Sequence, residues 1–300
     1  MPLHYESRHG WKRLLSIATG GEIGSMKFSL SLMNFDYFGD VNVIAQLARE
    51  AEDAGWDAVF ISDHVNWKDM GFHVDPWIAL GLIADRTERV LIGTAVTPIA
   101  RRRPTKLARE ILTLHQLSGG RFIFGAGSGI WASEYDDLGD ASELKVRAEM
   151  LDEGLELLQK TWVGNDFSHH GKHYQAKGQT FCPGGAKIPI WVGASWPKRK
   201  PFLRAARFDG VMAMNNDFTK PLSVAHVVEI KQFIDQERDD DKPFDIAVGL
   251  NTTEDAASDV DRAQAYEAAG ADWWQEGVFP YAKNIDLLRA IIRRGPPRRN

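Results

Sequence analysis

From residue 26 onward, short apolar runs alternate with longer stretches in which apolar residues recur every three or four positions. The short runs, at 27–33, 58–64, 90–98, 121–127, 188–194, 209–215, 244–251 and 271–278, have the length and composition of buried strands. The longer stretches, near 40–54, 75–87, 104–117, 142–162, 197–206, 222–238, 255–269 and 284–293, read as helices. In the fourth of these, Leu144, Ala148, Leu151, Leu155, Leu158 and Trp162 line one face, the stripe of a helix packed on a core. Eight strands each followed by a helix predict parallel pairing through right-handed crossovers. That number of units predicts closure into an α/β fold, a (β/α)8 TIM barrel. Residues 1–25 precede the periodic pattern and read as an N-terminal extension or cloning remnant. The remaining chain, 26–297, has the size of one barrel of about 250 residues with an insertion of about 25. A Gly-, His- and Lys-rich stretch at 164–187, after the fourth helix, supplies that insertion.

Composition narrows the function classes. A formal charge of −5 gives no global positive field and argues against a nucleic-acid partner. There is no uncharged apolar run of about 18 residues, so no membrane span is expected. The apolar stretch at 14–18 is too short for the core of a signal peptide. Cys182 is the single cysteine, which excludes an internal disulfide and a cysteine-based zinc cluster and favours a reducing, cytoplasmic location.

In a parallel barrel, chemistry gathers where the strands end. The second strand closes on Ser62-Asp63-His64, placing an imidazole that titrates near neutral pH at the mouth; alternatively His64 and Asp63 simply order the loop. Gly125-Ala126-Gly127-Ser128-Gly129 ends the fourth strand and suits either a phosphate or ring cradle or a structural turn. Its spacing is not that of a dinucleotide fingerprint. Gly193-Ala194-Ser195 ends the fifth and leads toward a helix near Pro197, so it offers an anion cradle, or Ser195 is an ordinary N-cap. His169, His170 and His173 fall in a predicted hairpin, where convergent ligation is unfavourable, and no metal site is expected. Asp63 and Glu276 are the two carboxylates a barrel glycosidase or other hydrolase would need across the mouth. Trp67 and Trp131 are among ten tryptophans and lie near strand ends, where aromatic faces suit a flat conjugated ligand.

These strand ends, together with the stretches 92–98, 101–110, 117–121 and 189–193, resemble the bacterial luciferase-like superfamily of flavin-dependent monooxygenases and deazaflavin-dependent oxidoreductases over residues 26–297. The resemblance implies reduced FMN or coenzyme F-420 bound across the barrel mouth and a small-molecule substrate. It also implies a homodimer and, for an oxygenase, a separate flavin reductase. Ala95-Val96 resembles a site of a non-prolyl cis peptide behind the coenzyme ring. Gly193, Ala194 and Ser195 match the phosphate loop, Gly127, Ser128 and Gly129 a segment lining the cofactor, and Asp63 and His64 the catalytic pair. Where the sugar-phosphate dehydrogenase branch carries a glutamate after its glycine turn, this chain has Ile130, which argues for a different, apolar substrate. Ile130, Trp131, Trp67 and Glu276 would line that substrate's pocket, with Phe72 and Phe279 folding over it. A protein that binds flavin without turnover is the third reading.

Overall fold

The computed structural model describes residues 26–67, 70–182, 185–253, 255–277 and 284–298; the expected extension at 1–25 and Phe279 lie outside them. Eight strand positions form one closed parallel ring. In chain order these are β1 (Lys27–Leu32), β2 (Ala58–Ile61), β3 (Leu91–Thr94) continued by β4 (Thr97–Pro98), β5 (Phe122–Gly127), β8 (Ile190–Trp196), β9 (Gly210–Asn215), β10 (Asp245–Leu250) and β11 (Trp273–Gly277). β1 pairs with both β2 and β11, and β5 pairs with both β3 and β8, so no edge is left open. The predicted strand at 90–98 is split because Ala95-Val96 forms a cis peptide between β3 and β4.

Helices α1 (Val41–Asp53), α2 (Pro76–Arg86), α3 (Pro104–Leu117), α5 (Leu144–Trp162), α6 (Arg199–Ala205), α7 (Val224–Glu237), α8 (Ala256–Ala268) and α9 (Ile285–Arg294) follow successive strands. Their starts are chemically marked. Asp40, Asp75, Asp255 and Asn284 each accept a first-turn amide, satisfying donors a helix leaves unpaired. The antiparallel pair β6 (Phe167–His170) and β7 (Gln175–Gly178) between α5 and β8 forms the hairpin predicted around His169–His173, whereas the four-residue α4 (Ser133–Asp136) was not anticipated. Among the described residues no helix is long and apolar enough to cross a membrane.

Alternation along the strands sorts two cores. One lies between the ring and the helices. The other fills the ring itself with Ala58, Phe60, Ile123, Trp191, Met212, Ala247 and Trp273. Trp191 sits 5.5 Å from Phe60 and 5.2 Å from Trp273, ring centre to ring centre. Such bulk fits because Gly210 lies against Trp191, where a Cβ would come within 2.6 Å of the indole. Just before β5, Arg121 is buried and donates to the carbonyls of Ala84, Thr87, Val90 and Ser118, tying the ends of α2 and α3 to the segment before β3. The motif at 117–121 is therefore structural.

Truncating Trp191 to Ala is expected to cost about 3–5 kcal/mol in urea unfolding, the usual penalty for emptying a packed aromatic site. A loss below about 1 kcal/mol would mean that the barrel interior is not packed as described.

Candidate active site

Asn34, just after β1, is fully buried and organises the loop after β2. Its side-chain amide donates to the carbonyls of His64 and Val74 at 2.7 and 2.9 Å, and its oxygen accepts from the Ser62 hydroxyl and the His64 amide. The backbone bearing His64 is thereby fixed from the neighbouring strand.

The His64 ring is partly exposed, with Phe35 edge-on at 5.6 Å and Trp67 at 5.0 Å, and Trp131 lies 5.2 Å beyond Trp67. Nδ1 lies 2.9 Å from Oε2 of Glu134, which α4 carries. Among the described residues Nε2 has no hydrogen-bond partner. Glu134 is buried; its Oε1 accepts the Val65 amide at 2.8 Å and pairs with Arg101 at 3.1 Å. Burial pushes the Glu134 carboxyl up, but the His64 hydrogen bond, the His64 and Arg101 charges and the Val65 amide outweigh it and hold it down at about 2. A carboxylate on Nδ1 selects the Nδ1–H tautomer, so neutral His64 carries its lone pair on Nε2.

Asp63 is placed differently from the expectation that it works beside His64. Its carboxylate is buried among donors: Arg102 at 2.8 and 3.0 Å, Arg101 at 3.3 Å, Thr97 Oγ1 at 2.9 Å and Trp77 Nε1 at 3.3 Å. Its partners come from α2 (Trp77), from β4 (Thr97) and from the turn that follows β4 (Arg101 and Arg102). Asp63 therefore holds the loop, and the titratable pair in the mouth is His64 with Glu134.

Glu276 likewise does not reach the mouth. It shares the outward face of β11 with Trp274, is fully buried, and accepts from the Thr252 amide and hydroxyl and from Trp274 Nε1. Burial pushes its carboxyl up to about 7 despite those donors. The two carboxylates needed for the hydrolase reading thus point away from a common cleft, and that alternative loses its geometric basis.

The cis Ala95-Val96 bulge packs on the barrel-filling cluster and turns Val96 toward β5 and β8. A Cβ on Gly127 would collide with Val96, and one on Gly193 would lie 3.3 Å from it. Gly129 has φ of 76° and backs onto Tyr135. The Ser128 carbonyl accepts from the Tyr135 hydroxyl and, with the Gly129 carbonyl, from Arg147 at 3.1 Å. The glycine-rich turn is thus required by close packing. Gly193, Ala194 and Ser195 all lie within β8, with Trp196, Pro197 and Lys198 before α6, so they do not sit at a helix N-terminus as expected. The Ala194 side chain faces the helix layer and leaves only its backbone for a ligand.

At the mouth, the inward positions Ser31, Gly127, Gly193, Ser195, Gly249 and Gly277 carry at most a hydroxymethyl group, whereas Met214 of β9, level with Ser195, is long and exposed. A Cβ on Gly249 would meet nothing within 4 Å. Small rim residues above an aromatic floor, with an aromatic wall of Phe35, Trp67 and Trp131, fit a planar tricyclic ring. Ile130 and Trp131 are exposed beside that wall, and Phe72 is 73% exposed rather than folded over it. His169 and His173 instead pin the β6–β7 hairpin to Glu153 and Glu149 of α5.

A closed parallel barrel with a non-prolyl cis peptide and a carboxylate-held imidazole at its mouth defines a recognisable class. The chain belongs to the luciferase-like monooxygenase family, whose model matches residues 20–294. It is 38% identical over 161 residues to an F-420-dependent glucose-6-phosphate dehydrogenase of Nakamurella multipartita, covering 51% of this chain and 47% of that protein. The corresponding protein of Microbacterium testaceum is 36% identical over 153 residues, 49% of this chain and 45% of the relative. These matches span about half the length of the curated relatives. Among solved structures, an F-420-dependent secondary alcohol dehydrogenase in complex with an F-420–acetone adduct superposes with a TM-score of 0.71 at 16% identity, covering 90% of this chain and 99% of that one. The oxygenating constituent of 3,6-diketocamphane monooxygenase from Pseudomonas putida, in complex with FMN, gives 0.65 at 17% identity over 90% and 78%. Both share the fold.

Replacing Asp63 with Asn leaves two guanidinium groups short of their buried partner and is expected to cost about 3–5 kcal/mol in urea unfolding. Glu134 makes a pH-dependent contribution. Its folded carboxyl, at about 2, lies below its ordinary 4.5, so the stabilisation is complete above 4.5 and disappears as pH falls toward 2. It amounts to about 3 kcal/mol. Melting curves at pH 7 and pH 3 should show Glu134→Gln losing less stability on acidification than the wild type.

Proposed function

We propose that this chain is an oxidoreductase that uses coenzyme F-420 to transfer hydride to or from a small, largely apolar alcohol or carbonyl compound. The observation carrying this reading is the His64–Glu134 pair, which faces the mouth beside the Ala95-Val96 bulge. The relatives' names favour F-420, while the same rim suits reduced FMN. Ala95 and Val96 would back the ring, Gly127, Ser128 and Gly129 would flank it, and the backbone of Gly193, Ala194 and Ser195, with the Ser195 hydroxyl, would hold the phosphate.

When bound, such a coenzyme supplies a ring atom that gives or accepts hydride. The chain supplies the proton chemistry and the positioning. As an alcohol is oxidised, His64 Nε2 takes the hydroxyl proton, and the Glu134 carboxylate stabilises the imidazolium that results. Arg101 keeps Glu134 ionised, so the pair returns to its starting state when Nε2 releases the proton. Trp67, Ile130 and Trp131 present an apolar face to the substrate and limit water at the reacting carbon. Cytoplasmic operation and a homodimer accompany this reading. A monooxygenase using FMN supplied by a separate reductase is the second reading, favoured by the match to the monooxygenase family model.

Titrating the purified chain with F-420 and with FMN, followed by absorbance and fluorescence, separates the two. The first reading requires tighter F-420 binding and reduction of F-420 by a secondary alcohol. Preference for FMN with substrate-dependent oxygen consumption supports the second, and binding without turnover of any substrate supports a mere carrier. His64→Ala should bind coenzyme within a few-fold of wild type while kcat falls by about 10²–10⁴. Unchanged kcat removes His64 from the mechanism. Comparing simple secondary alcohols with glucose 6-phosphate tests the apolar assignment.

A further inference from the structure

Glu276 turns away from the mouth, and the residue of β11 that turns toward it is its neighbour. Trp273 belongs to the cluster that fills the ring, while Trp274 and Glu276 lie on the outward face. Strand alternation therefore points Gln275 into the barrel, one step above the aromatic floor.

Gln275 is only 9% exposed, and its Nε2 is shut off from solvent with no hydrogen-bond partner. Its Oε1 is not shut off, and no described residue bonds to it. Trp273 beneath is 1% exposed, so the edge of the carboxamide that solvent reaches opens upward to the mouth. A half-turn of the terminal amide exchanges its two ends, so that open edge can offer either an acceptor or a donor. Register sets Gln275 between Ser29 and Gly249. Ser29 is buried, and its hydroxyl turns to the Trp274 carbonyl. Gly249 is exposed although it faces the ring interior, and a Cβ there would meet nothing within 4 Å. Open space thus lies directly beside a carboxamide that the protein leaves unpaired. A primary amide kept in a nearly dry interior without partners is unfavourable, and beside an open space it marks a missing ligand group.

Position in the ring says which ligand. β11 is four strands from β5 in either direction, so Gln275 stands across the barrel from the Gly127–Gly129 turn that would flank the coenzyme. His64 follows β2, two strands from β11. A substrate whose reacting carbon lies between His64 and the coenzyme ring therefore extends its far end toward Gln275. The inward residues around that end, Ser29, Ser31, Gly249 and Gly277, carry no charge.

We propose that Gln275 determines substrate specificity: its carboxamide pairs with an uncharged hydrogen-bonding group, a hydroxyl, carbonyl or amide, at the end of the substrate remote from the reacting carbon. The assignment rests on the reading of the mouth as the site of coenzyme and alcohol, and it makes the substrate an apolar body with a second polar group.

The test reads Gln275 without turnover. In ¹⁵N–¹H spectra of the full chain, its side-chain amide pair is the one that Gln275→Leu deletes. 1,5-Hexanediol should shift that pair saturably, and should bind about tenfold or more tightly than 2-hexanol, which has the same secondary alcohol but no terminal hydroxyl. Gln275→Leu should bring the two alcohols within about twofold of each other. Gly249→Val, which fills the space beside the carboxamide, should weaken the diol selectively. Gln275→Leu should melt no lower than wild type, because the amide has no protein partner to lose. With F-420 added, the diol's advantage should reappear in kcat/KM and vanish in Gln275→Leu. An amide pair that the diol does not move, equal binding of the two alcohols by wild type, or a preference that survives Gln275→Leu would each overturn the proposal. So would a lower melting point for Gln275→Leu, which would make the residue structural. A shifted amide pair without F-420 reduction by either alcohol would reject the coenzyme reading and still support Gln275 as the polar contact.

Discussion

The buried carboxylate of Asp63 is the fixed point of the rim. Taking a charge out of water is expensive, and it persists here because Arg101, Arg102, Thr97 and Trp77 all donate to it. The same Arg101 reaches Glu134, and Glu134 holds Nδ1 of His64. A chain of charge pairs therefore runs from Asp63 into the mouth and sets the orientation of the His64 imidazole. Fold stability and the geometry of the proposed chemistry share these residues.

Packing inside the barrel imposes the second constraint. Phe60, Trp191 and Trp273 fill the ring and form a floor, while glycine and serine occupy most inward strand ends above it, Met214 excepted. Val96 projects from the cis bulge, requires glycine opposite it at position 127 and packs close to Gly193. The glycine signature after β5 is thus explained by close approach of side chains, and any coenzyme would use a surface those contacts have already shaped.

The barrel was legible before any coordinates because period-two and period-3.6 patterns are local, and eight repeats of the pair leave few topologies. His64 was legible because it ends a strand. The acid expected beside it was Asp63, but the one that meets it is Glu134, carried by the short helix α4. Nothing in the spacing of Glu134, seventy residues from His64, marks it as a partner. Asp63 and Glu276 misled for the opposite reason. Both lie at strand ends, but their side chains face the helix layer, and strand position alone does not say which neighbour supplies the donors.

What the amino-acid sequence by itself determined is the alternation of strands and helices, the closure of the ring and the region where its chemistry must sit, since these follow from local periodicity and chain length. Tertiary structure alone decided which carboxylate meets His64 and which arginines neutralise Asp63. Those outcomes depend on how loops distant in the chain converge, and burial changes the energy of a charge only once its neighbours are in place.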